Sequence, residues 1–262
     1  MNKADGISQS RQEWLAGARQ GALLGVALAT LMLPPASPVP SLGGLHASPS
    51  AVAPHNRKAR ATVSGHADFG AEEASSDVRQ LANWVVASGD NHSRFFVLVD
   101  KKNARVFVFK GDGTLRSATP VLIGAAVGDD SIEGIGSRPI ALVEPHERTT
   151  PAGRFEGERG RNASGEDVVW VDYDSAVSMH RVRATEPAER RLERLASPSA
   201  ADNRISYGCI NVPANFYDTV LRPAFATGRG AVYVLPERKR LNQVFTALPG
   251  GADAQPVQVG AQ

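Results

Sequence analysis

The chain carries one cysteine in 262 residues, Cys209, within Ile205-Ser206-Tyr207-Gly208-Cys209-Ile210-Asn211-Val212-Pro213. A single thiol makes no intramolecular disulfide and builds no zinc–thiolate site by itself. It is an inert core residue, an intermolecular link or a working nucleophile. Its neighbours suit the last role. Gly208 permits an unusual backbone angle and the close approach of a ligand. Asn211 and Val212, ahead of Pro213, read as the cap of a helix over 213–221. Cys209 then stands just before a helix N-terminus, where the dipole and free N–H groups favour a thiolate. The same N–H groups suit an oxyanion during acyl transfer.

A thiol nucleophile wants a base, and histidine has the fitting pKa. Of the six histidines, His46, His55 and His66 fall in a Pro-rich stretch, His92 precedes the first strand, and His146 lies in a charged loop. His180 ends an apolar strand, Val177-Ser178-Met179-His180, which would aim it rigidly. A buried cysteine and a histidine beside a strand are also ordinary structural features, so the residues alone leave both readings open. Other chemistries lack their motifs. There is no Gly-x-Ser-x-Gly elbow, no His-Glu-x-x-His, no G-x-G-x-x-G and no tight metal-ligand cluster.

Ser206-x-Gly208-Cys209-Ile210-Asn211, preceded by a histidine on a strand, resembles the active-site signature of the YkuD-type L,D-transpeptidases. The resemblance extends to Phe95–Phe109, to Thr119–Gly124 and to Thr149-Thr150-Pro151-Ala152-Gly153-Arg154-Phe155, covering roughly Arg94 to Pro236. It implies a mainly-β catalytic domain, sandwich-like or barrel-like with a few short helices, that needs no cofactor or metal. It also implies an envelope enzyme whose partners are peptidoglycan stem peptides, as donor and acceptor. By resemblance, Cys209 is the nucleophile and His180 the base, and the backbone around Tyr207 and Gly208 supplies the oxyanion hole. Ser206 and Asn211 order the loop or touch substrate. Three departures stand out. Many members carry His where this chain has Tyr207, and many carry Arg at the position of Asn211. Cys209 also follows His180 by 29 positions, longer than the family's usual interval. The extra stretch, 183–203, interleaves Arg190, Arg191 and Arg194 with Glu186, Glu189 and Glu193. It reads as a solvated helix with paired charges, or as a lid whose arginine meets a substrate carboxylate.

The elements that must position these residues are mostly short strands. Asp77–Ala87 has helical spacing. Arg94–Asp100 and Arg105–Lys110 read as a hairpin. Further strands are expected at 119–123, 139–143, 153–156, 168–172, 177–182 and 231–235, and helices at 187–196 and 213–221. Many strands with few helices favour a mainly-β domain.

Toward the N-terminus, positive residues precede the thirteen-residue apolar run Gly21–Leu33, which stops at Pro34-Pro35. This pattern reads as a secretory signal or an N-terminal anchor; a span would want about 20 apolar residues. Residues 34–75 are rich in Pro, Ser and Ala and read as a linker. The expected layout is 1–33 signal or anchor, 34–75 linker, 76–240 catalytic domain and 241–262 tail. With 29 Lys+Arg against 27 Asp+Glu the net charge is +2, so charge alone points to no nucleic-acid partner. Within the same chemistry, hydrolysis in place of transfer would make an L,D-carboxypeptidase or murein amide hydrolase. A non-catalytic wall-binding domain would not need the intact Cys–His pair. A papain-like protease would place its Cys first and its His later.

Overall fold

The computed structural model describes residues 65–248. The apolar run at 21–33, most of the Pro-rich linker and the tail beyond 248 lie outside the described residues. Among the described residues, no helix is long and apolar enough to cross a membrane.

Helix α1 (Ser76–Ser88) starts where the Ser75 hydroxyl accepts from Val78 N–H and stops at Gly89, whose φ of 70° supplies the left-handed cap. Its stripe of Val78, Leu81, Val85 and Val86 is buried. The strands that follow are β1 (Phe96–Asp100), β2 (Arg105–Phe109), β3 (Leu115–Pro120), β4 (Ile123–Gly124), β5 (Gly153–Arg161), β6 (Asp167–Asp172) and β7 (Val177–Arg181). After helix α2 (Arg191–Ala196) come β8 (Arg204–Ser206), β9 (Ile210–Val212), a helical stretch over 214–227 and β10 (Gly230–Val234).

Eight strands form one sheet in the order β3-β2-β1-β10-β5-β6-β7-β9, and β4 pairs with β8. Leu122, just after β3, bridges Asn211 of β9, so the two ends of the sheet are drawn together into a nearly closed barrel. The central strands are apolar on both faces because both are covered. In β1, Val97 and Val99 face the inner core beside Val232, Met179, Ile210 and Phe225 of the helical stretch, which plugs the barrel. Phe96 and Leu98 face the outer core with α1, Phe107, Phe109 and Tyr233. Each such buried side chain contributes about 1.5–3 kcal/mol. A mainly-β domain with few short helices is the fold expected from the sequence.

Several details differ from that expectation. Residues 139–143 form no strand: Ile140–Leu142 is a 3₁₀ turn, with Ile140 and Leu142 exposed. They have no neighbouring strand to pair with, and their apolar side chains face outward. The third strand runs over Leu115–Pro120, and the later part pairs elsewhere, Leu122 with Asn211 and Ile123–Gly124 with β8. The packed region also reaches past the boundaries drawn at 76 and 240. Phe69 stacks edge-on against Phe109 at 5.2 Å, and Leu241, Phe245 and Leu248 join the outer core.

Candidate active site

Strand periodicity assembles the site. Side chains two apart share a face, so Ser178 and His180 of β7 point one way while Met179 enters the core. On the partner strand, Cys209 and Asn211 point the same way while Ile210 enters the core, fully buried like Met179. Strands β7 and β9 pair in parallel with His180 directly opposite Asn211. Two stretches about 30 positions apart thus place Ser178, His180, Cys209 and Asn211 on one patch. His180, Cys209 and Asn211 lie at a cavity of about 370 Å³ lined also by Ile140, Arg183, Glu189, Arg191 and Tyr207, with Ser178 buried beside the thiol.

The thiol is half-buried. Its Sγ lies 3.7 Å from Ser178 Oγ and 3.6 Å from Ala176 O. Ala176 adopts a left-handed backbone, φ 54°, in the turn before β7. Burial pushes the thiol pKa up, but the hydrogen bond and charge of His180 outweigh it, with help from Ser178, and the net shift is downward. For His180, burial acts downward, while the hydrogen bond and charge of Cys209 lift the pKa above the ordinary histidine value. The pair therefore favours charge separation. His180 Nδ1 donates to Arg181 O at 2.9 Å, which leaves Nε2 on the side of the cavity. Asn211 Nδ2 sits 3.1 Å from that Nε2.

The turn carrying the thiol is held from several sides. Ser206 Oγ donates to Cys209 O at 2.6 Å and accepts from Gly208 N–H at 3.1 Å. Gly208 has φ 124°, and a Cβ there would come within 2.7 Å of Thr149 O, so no other residue fits. Thr150 Oγ1 donates to Gly208 O at 2.8 Å and accepts from Gly124 N–H at 2.9 Å. Behind Thr150, the buried Lys101 ammonium donates to Thr150 O and to Asp129 Oδ1, each at 2.9 Å. Asp129 in turn accepts from the backbone N–H groups of Glu237, Arg238 and Lys239. Tyr207 is exposed at the mouth, its ring 4.0 Å from the Arg148 guanidinium.

One element of the sequence reading is corrected. Cys209 does not precede a helix N-terminus, and Asn211 is no cap. Strand β9 intervenes, because Ile210 and Val212 bury themselves beside β7, and the helix begins only at Ala214 with no side-chain cap. The thiol is stabilised by His180 and Ser178 instead of a helix dipole. Ser178, Thr150 and Ala176 were not singled out from the sequence. The period-two phase of Ser178 with His180 was the available signal for the first. The 183–203 insertion, expected as a solvated helix or a lid, borders the cavity through Thr185, Glu189 and Arg191. Arg190 and Glu193 pair on its exposed side.

No family model matches the sequence, and no curated protein does either. Solved structures similar to this chain include L,D-transpeptidases. The catalytic domain of the E. faecium L,D-transpeptidase is 18% identical over 55% of this chain and 98% of that one, with a TM-score of 0.29. The L,D-transpeptidase of Xylanimonas cellulosilytica is 14% identical over 54% and 60%, with a TM-score of 0.32. The helical cell shape determining protein Pgp2 from Campylobacter jejuni is 17% identical over 56% and 49%, with a TM-score of 0.38. The chain thus spans about half the length of the Campylobacter protein.

Proposed function

We propose that the protein is a cysteine-dependent acyltransferase of the cell envelope, an L,D-transpeptidase acting on peptidoglycan stem peptides. The observation that carries this reading is the Cys209–His180 pair at an open cavity, each partner pushing the other toward thiolate and imidazolium. The motif around Cys209 supports the substrate class, and the apolar run at 21–33 supports export. Peptidoglycan is the one partner proposed.

Sγ passes its proton to His180 Nε2 and attacks the carbonyl that joins the third residue of the stem to D-alanine. The tetrahedral oxyanion meets backbone N–H groups of the Tyr207–Cys209 turn. Gly208 N–H is already engaged by Ser206 Oγ, so the role falls to its neighbours. The C–N bond breaks, the amine takes the proton from Nε2 and D-alanine leaves. An amine of a second stem then attacks the thioester, its proton returning through His180 to Sγ. Ser206 holds the turn, and Tyr207 and Asn211 border the substrate.

Incubating the full chain with disaccharide-tetrapeptides and following products by mass spectrometry tests this. A cross-linked dimer one D-alanine lighter than two substrates is expected, with none from Cys209→Ala. A tripeptide alone would make the enzyme a carboxypeptidase. No conversion by the wild type, or full activity in Cys209→Ala, would refute the assignment.

A further inference from the structure

The insertion delivers a guanidinium to the residue behind the base. The Arg191 side chain is only 14% exposed, and its Nε and Nη2 hold the Glu189 carboxylate. Its Nη1 donates to Asn211 Oδ1 at 2.6 Å. Arginine has donors and no acceptor, so the Asn211 atom facing it is the carbonyl oxygen. The amide nitrogen is left to face His180 Nε2 at 3.1 Å. The imidazole is oriented by the same logic, since Arg181 O can only accept and Nδ1 must carry a proton. In the neutral ring, Nε2 therefore accepts an N–H from Asn211. Once Nε2 is protonated, two donors face each other. Relief requires the amide to turn over, which breaks the bond to Arg191.

We propose that Arg191 is a positioning residue: by pinning the Asn211 amide, it opposes proton transfer from Cys209 Sγ to His180 Nε2 and restrains the pair from becoming thiolate and imidazolium. Without Arg191 the amide is free to turn, Oδ1 accepts from Nε2–H, and the charged pair gains a hydrogen bond. The other charged or titratable groups facing His180 are Cys209 itself, Arg181, Arg183, Glu189 and Glu166. The Asn211 amide itself is hydrogen-bonded by Arg191 and faces His180, and Glu189 reaches it only through its ion pair with Arg191. The inference rests on reading Cys209 and His180 as the working pair, but its test needs no peptidoglycan.

The test is the pH profile of Cys209 alkylation by iodoacetamide in the full chain. Arg191→Ala is expected to move the apparent thiol pKa down by about one unit, a roughly tenfold gain in thiolate at lower pH. Arg191→Lys still donates to Oδ1 and is expected to keep the wild-type profile, an outcome a merely space-filling role would not require. If Arg191→Ala melts early, Arg191→Met keeps the packing of the stem and is read in its place. In ¹⁵N spectra at neutral pH, the His180 ring should gain imidazolium character in the same variant. Superimposed profiles, an upward shift, or a Lys variant that behaves like Ala would overturn the proposal. If the shift occurs in an enzyme that converts no stem peptide, the acyl-transfer reading falls and this one stands. If the profiles superimpose in an active enzyme, the reverse holds.

Discussion

Thr150→Val removes one oxygen and tests how the turn that carries Cys209 is held. The substitution preserves shape but deletes the hydroxyl that joins Gly124 N–H to Gly208 O, at 2.9 and 2.8 Å. Thr150 is 2% exposed, so water cannot replace the lost partner without opening the structure. Each buried backbone group left unpaired costs about 1–3 kcal/mol. The pair together should destabilise the domain by about 2–6 kcal/mol. For a domain of this size the melting temperature should fall by about 5–15 °C. Thr149→Val is the matched control. Its hydroxyl donates to Asp130 O at an exposed position, where water substitutes and the loss should stay below about 1 kcal/mol. Thermal unfolding followed by circular dichroism reads both variants. A Thr150→Val protein that melts within about 2 °C of the wild type would refute the reasoning, as would an equal loss from Thr149→Val.

Two further outcomes are expected. Ser178→Ala should raise the apparent thiol pKa, because the hydroxyl beside Sγ helps the thiolate; alkylation against pH measures it, and a downward shift would contradict the site geometry. Asp129 has its carboxyl held down to about 2, against 3.8 when free, by backbone N–H groups and Lys101 despite burial. A depressed folded pKa means stabilisation that is present above about pH 4 and lost as pH falls toward 2, worth about 2 kcal/mol. Urea unfolding should show that decline in the wild type and a flatter profile in Asp129→Asn, which starts from lower stability; parallel profiles would remove Asp129 as the source.

Much of the frame was legible because it depends on local pattern. The helix stripe of Val78, Leu81 and Val85, with Ser75 before it and Gly89 after it, is a signal carried within a few turns of chain. The β1–β2 hairpin and the both-faces-apolar β10 are likewise local. The three-residue strands β8 and β9 were not legible. Their existence rests on partners more than 25 positions away, His180 for Asn211 and Ile123 for Arg204, and no short window of sequence contains both. Reading Pro213 as a helix start pulled Asn211 into a cap, although Ile210 and Val212 carry the β-branched signature of a strand.

The residue types at the site belong to the sequence. One cysteine, close after Ser206 and Gly208, and one histidine at the end of an apolar strand define which reactive atoms the site has available. Strand periodicity alone also puts Ser178 in phase with His180, and Asn211 with Cys209. The state of those atoms was decided by the tertiary structure. Parallel pairing of β7 with β9 sets imidazole beside amide and thiol, Thr150 and Lys101 fix the turn from behind, and the insertion brings Arg191 onto Asn211. These contacts join segments distant along the chain. Burial and hydrogen bonding across them set pKa values and rotamers, and neither quantity exists until the chain has closed on itself.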